Sequence, residues 1–73
     1  MFQELVKKEL ERARGLYPNI HSTHEALGVI LEEFEEFKDE VKRKKIDKAK
    51  MLSELVQIAA MCQKASEDCG LLD

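Results

Sequence analysis

The chain has 73 residues, 12 of them Lys or Arg and 15 Asp or Glu, giving a formal net charge of −3. That length accommodates one domain, and so small a core ordinarily leans on a metal, disulfides or self-association for firm stability. The acidic balance argues against a nucleic-acid partner, which wants a basic stripe, and no apolar run approaches the roughly 20 residues of a membrane span.

The N-terminal segment MFQELVKKELERAR is charged from its start and lacks an apolar signal core, so a soluble cytoplasmic protein is expected. Phe2, Leu5, Val6, Leu10, Ala13 and Leu16 recur at threes and fours, predicting an amphipathic helix over about residues 2–14 that Gly15 and Pro18 end. GLYPNIHS then forms a loop whose Leu16, Tyr17 and Ile20 are expected to tuck against the core. Ser22, with Glu25 three residues on, makes a capping box for a second helix over about 23–44. Its apolar stripe reads Leu27, Ile30, Leu31, Phe34, Phe37 and Val41. The basic run KRKK at 42–45 falls in its last turn, where cations suit the helix dipole.

Asp47 suits the N-cap of a third helix over about 48–68, stopped near Gly70. Met51, Leu52, Leu55, Ile58, Ala59 and Cys62 form one face of it, but Val56, Ala60 and Met61 carry apolarity almost all round. A helix apolar on most sides is buried on most sides, which a lone three-helix chain hardly provides. The expected architecture is therefore all-α: three antiparallel helices completing a four-helix-type bundle by oligomerisation, as a homodimer or homotetramer. Cys62 and Cys69, about 10 Å apart along one helix, are too distant for a disulfide and read as reduced core residues.

Chemistry concentrates in ILEEFEEFKDEVK, where Glu32, Glu33, Glu35, Glu36, Asp39 and Glu40 crowd into little more than two turns. At about 100° per residue, Glu32 and Glu35 lie well away from the apolar stripe, whereas Glu33, Glu36 and Glu40 form a row along its flank. A solvated face is the plain reading for an isolated helix. Against it stands Glu54, which interrupts an apolar sector of the third helix, with Gln57, Lys64 and Asp68 further along the same strip. A carboxylate so placed is costly unless paired or coordinated. Antiparallel packing can set Glu33 and Glu36 opposite Glu54 and Gln57, an oxygen-rich arrangement suited to Mg²⁺, with Mn²⁺ as an alternative. Glu-x-x-His pairs are absent, HEALG at 24–28 is not HExxH, and His21 and His24 read as loop or capping residues.

LEEFEEFKDEV, followed about twenty residues later by SELVQIA, resembles the paired motifs of the MazG-like, all-α nucleotide pyrophosphohydrolases. The family pattern is EExxE on one helix and ExxD on the next. Here Glu32, Glu33 and Glu36 match the first in full, and Glu54 with Gln57 matches the second except in its last place. The likeness extends over roughly residues 22–70 and is nearest to short phage- and mobile-element-type members. It implies a nucleoside triphosphate, often non-standard or deoxy, cleaved between its α and β phosphates to a monophosphate and pyrophosphate. Glu33, Glu36 and Glu54 would be magnesium ligands, with Gln57 in the place of a fourth, and the metal would neutralise phosphate charge and help generate hydroxide. Glu32 or Glu36 would take a proton from water, and Lys64 stands where relatives carry a group facing phosphate. Gln57 in place of Asp keeps an oxygen donor but loses its charge, and the chain is short for the family. An active enzyme, an enzyme of altered specificity and a catalytically weak nucleotide binder all remain open. So does a non-catalytic helical module for dimerisation or protein interaction.

Overall fold

A computed structural model describes residues 1–72 and contains three helices, α1 (Phe2–Leu16), α2 (Thr23–Val41) and α3 (Lys48–Asp68), with no strand among the described residues. None of the helices is long and apolar enough to cross a membrane. α3 is the central element: α1 and α2 each pack against it, and the backbones of α1 and α2 stay apart.

Local chemistry accounts for most of the helix ends. α1 runs through Gly15 to Leu16, two residues beyond the expected end, because a glycine near a helix end costs only about 1 kcal/mol. Pro18 sets the stop, since the residue before a proline is driven out of the helical region, and Tyr17 is extended (φ −127°, ψ 147°). Only part of the expected loop packing occurs: Ile20 is buried, but Leu16 and Tyr17 remain exposed. At the start of α2, Ser22 Oγ accepts from Glu25 N at 3.1 Å, and Glu25 Oε1 accepts from His21 N at 2.8 Å. Asp47 Oδ1 accepts from Lys50 N at 3.0 Å and opens α3. Gly70 (φ 66°) closes α3, with Leu71 N donating to Ser66 O at 3.0 Å and Gly70 N to Glu67 O at 3.3 Å, the bond pair of a Schellman motif.

Two expectations are corrected at α2. It ends at Val41, so KRKK lies beyond the helix rather than in its last turn; with Asp47 capping α3, residues 42–46 are consumed in reversing the chain. The larger correction is rotational. Ala26, Val29, Ile30, Glu33, Phe37, Lys38 and Glu40 are the buried and half-buried residues of α2, so Glu33 and Glu40 of the acidic row lie in the seam with α3 while Glu36 stays exposed. Four of the six residues of the expected core stripe are bare: Leu27 is 58%, Leu31 50%, Phe34 51% and Val41 51% exposed, while Ile30 and Phe37 are half-buried.

α3 shows the same displacement. Its core members are Val56, Ala60 and Met61, which pack with Val6, Leu10 and Ala13 of α1, while Leu52, Leu55 and Cys62 are exposed. A smaller cluster of Ile20, Ala26 and Ala65 closes the loop end.

Candidate functional site

α2 and α3 run antiparallel, so residues spaced three apart on each come level across the seam. One carboxylate oxygen from each of Glu33, Glu36 and Glu54 lies within 4.8 Å of the other two. Glu54 is nearly sealed from solvent at 5% exposure, Glu33 is half-buried and Glu36 is exposed. Oxygens sharing one Mg²⁺ at about 2.1 Å stand at most about 4.2 Å apart, so a small rotamer adjustment would be needed for the three to hold one ion. The donors are all hard oxygens, which suits Mg²⁺ or Mn²⁺ better than a soft metal.

Gln57 joins the three carboxylates. With its nitrogen turned inward it donates to Glu33 Oε2 at 3.0 Å and Glu54 Oε2 at 3.3 Å. Turned the other way, the amide presents its carbonyl oxygen to the same space. The residue can therefore relieve repulsion among the carboxylates or add a neutral ligand to them, where an Asp could only add charge.

Burial pushes the Glu33 carboxyl up to about 7, and the charges of Glu36, Glu54, Glu32 and Glu9 add to the shift. Glu54 is raised too, by burial first and then by its hydrogen bond to Glu36 and that residue's charge; Lys50 opposes them. With Glu33 held at about 7, its carboxyl retains a proton part of the time near neutrality, which a divalent cation would displace.

A cleft of about 490 Å³ opens between α1 and α2 with α3 as its floor. Glu33 and Gln57 border both cleft and cluster, and Glu32 stands beside them on the α2 wall. The other acidic residues of α2 lie elsewhere: Glu35 pairs with Lys38 at 3.1 Å, Asp39 is exposed, and Glu40, only 6% exposed, pairs with Arg43 at 3.3 Å. Lys64, expected to face phosphate, is only 2% exposed, and its Nζ donates to Pro18 O at 2.8 Å and Asp68 Oδ2 at 2.9 Å.

The facing wall carries residues that the sequence reading passed over. Arg12 of α1 donates from Nε and Nη2 to Glu9 at 2.9 and 2.6 Å, and both line the cleft. No sequence signal singles them out, because Glu11 and Arg14 have the same spacing and only the packing of α1 decides which pair faces α2. No protein-family model, curated protein or solved structure matches this chain, so the family likeness rests on the two motifs alone.

Proposed function

We propose that the chain is a Mg²⁺-dependent nucleoside triphosphate pyrophosphohydrolase of the MazG-like kind, acting as a homo-oligomer joined through the bare faces of α2 and α3. The observation that carries this reading is the convergence of Glu33, Glu36 and Glu54 from two helices at the edge of a cleft of about 490 Å³. That volume lies within the range of small-ligand pockets. The three glutamates hold the ion, and the Gln57 carbonyl oxygen serves where the family motif has Asp. Bound Mg²⁺ supplies neutralisation of phosphate charge and makes the attacking water more acidic. Water adds across the α–β phosphoanhydride, releasing monophosphate and pyrophosphate, and Glu32 on the cleft wall takes the proton that water loses. Arg12 on the facing wall offers a guanidinium to the triphosphate.

The bare apolar faces favour a second reading as well, a helical dimerisation or interaction module that binds nucleotide weakly or not at all. Pyrophosphate release across a panel of standard and modified NTPs and dNTPs, with Mg²⁺ or Mn²⁺, separates the two. The enzyme reading expects turnover that disappears in a Glu33→Gln, Glu36→Gln, Glu54→Gln triple variant and rises in Gln57→Asp. Turnover that persists in the triple variant contradicts the site assignment. A folded dimer inert toward the whole panel favours the interaction module.

A further inference from the structure

Away from the buried glutamates of α2 and α3, two charged side chains are buried almost completely: Lys64 and Asp68, whose side chains are 2% and 4% exposed. Such burial is costly unless every charge is met. Here Asp68 Oδ2 accepts from Lys64 Nζ at 2.9 Å and from Ile20 N at 2.9 Å, and Oδ1 accepts from Arg14 Nη1 at 2.9 Å. Lys64 Nζ also donates to Pro18 O at 2.8 Å, and Arg14 Nη2 to Glu67 Oε1 at 2.7 Å. One carboxylate thus joins α1, α3 and the backbone of the α1–α2 loop.

The location gives this hub a consequence. The backbones of α1 and α2 stay apart, so α3 and the loop hold their separation. Tyr17, Pro18, Asn19, Ile20 and His21 of that loop line the cleft, and Lys64 forms part of its floor. We infer that Lys64 and Asp68 are positioning residues: together they clamp the loop as a preformed end wall of the cleft and hold α1 apart from α2, and Lys64 acts on bound nucleotide through that wall rather than by contact with phosphate.

The part of this inference that concerns nucleotide rests on the proposed function; the clamp itself does not, and the experiment separates them. Amide hydrogen exchange is followed in wild type, Lys64→Met and Asp68→Asn, with the α3 amides around Glu54 reporting that each variant is folded. Losing one clamp bond is expected to speed exchange at Ile20 by about tenfold while the Glu54 region stays protected. Unchanged exchange at Ile20 in both folded variants overturns the clamp. For any nucleotide that wild type turns over, Lys64→Met is expected to raise KM about tenfold and keep kcat within about twofold, the mark of lost preorganisation rather than of a lost transition-state contact. A large fall in kcat at unchanged KM overturns the positioning role and places Nζ on the reacting phosphates. If wild type turns over no nucleotide, the proposed activity fails and the clamp stands or falls on Ile20 exchange alone.

Discussion

Glu33 and Asp68 show how two carboxylates in one small domain can be driven in opposite directions. Burial works to raise both. At Asp68 the Ile20 N–H, Lys64 and Arg14 more than offset it and hold the group at about 2, against an ordinary 3.8. Its folded value is the lower one, so its contribution is complete above the ordinary value and is lost as pH falls from there toward 2. For a side chain this buried that contribution is about 2 kcal/mol, and Asp68→Asn is expected to flatten the acid limb of stability in urea titrations run between about pH 2 and 5.

Glu33 has no compensating donor of that strength and rises from 4.5 to about 7. Its folded value is the higher one, so stability falls as pH climbs through that interval. Glu33→Gln should therefore raise the melting temperature of the metal-free protein at neutral pH, as should Glu54→Gln, which lifts charge from the more buried position. Lower melting temperatures in both variants would mean that the carboxylates are not in mutual repulsion.

At the scale of elements, the caps and turns were legible and the rotation of the helices was not. Ser22, Asp47 and Gly70 act within their own turns, so short-range chemistry identifies them. Hydrophobic periodicity correctly marks α2 as an amphipathic helix but cannot say which partner its stripe meets. The stripe through Leu27, Leu31 and Phe34 is real, yet it turns away from α3, while the row through Ala26, Glu33 and Glu40 fills the seam. The anomalous Glu54 was the readable clue to that seam, being an acidic residue where apolar neighbours predominate. The roles of Lys64 and Arg12 were not readable, because each depends on a segment distant in sequence: Pro18 for one, the wall opposite α1 for the other.

This arrangement predicts an inversion of the usual mutational pattern in the monomer. Ala60, fully buried against α1, should tolerate enlargement poorly: Ala60→Leu is expected to cost about 1–3 kcal/mol in urea unfolding. Phe34→Ala, although it removes far more apolar surface, should cost less than about 1 kcal/mol at protein concentrations low enough to keep the chain monomeric. A costly Phe34→Ala at high dilution would return Phe34 to the intrachain core.

For the molecule as a whole, the helices have a front and a back. Cleft residues Val29 and Glu32 precede the seam residues Ile30 and Glu33 by one position on α2, and the bare Leu31 and Phe34 follow them by one. At about 100° per residue, cleft and bare stripe therefore fall on opposite sides of the seam. On α3, Leu55 and Cys62 likewise lie well round from Gln57 and Lys64. Two copies meeting back to back would bury both stripes as a four-helix core and leave both clefts open. Sedimentation equilibrium should thus give at least twice the monomer mass. Phe34→Glu combined with Leu55→Glu should give the monomer with its helical circular dichroism intact; a double variant that still associates would locate the interface elsewhere.

The central claim, that Glu33, Glu36 and Glu54 form a hard-cation site, is tested most directly by thermal unfolding with and without millimolar Mg²⁺ at matched ionic strength. A cation present at 100 times its Kd adds about 2.7 kcal/mol, which in a domain of this size raises Tm by roughly 10 °C or more. A rise of that kind in wild type, abolished by Glu54→Gln, is the predicted result. A wild-type Tm that Mg²⁺ leaves unmoved, or an equal rise in Glu54→Gln, would contradict it.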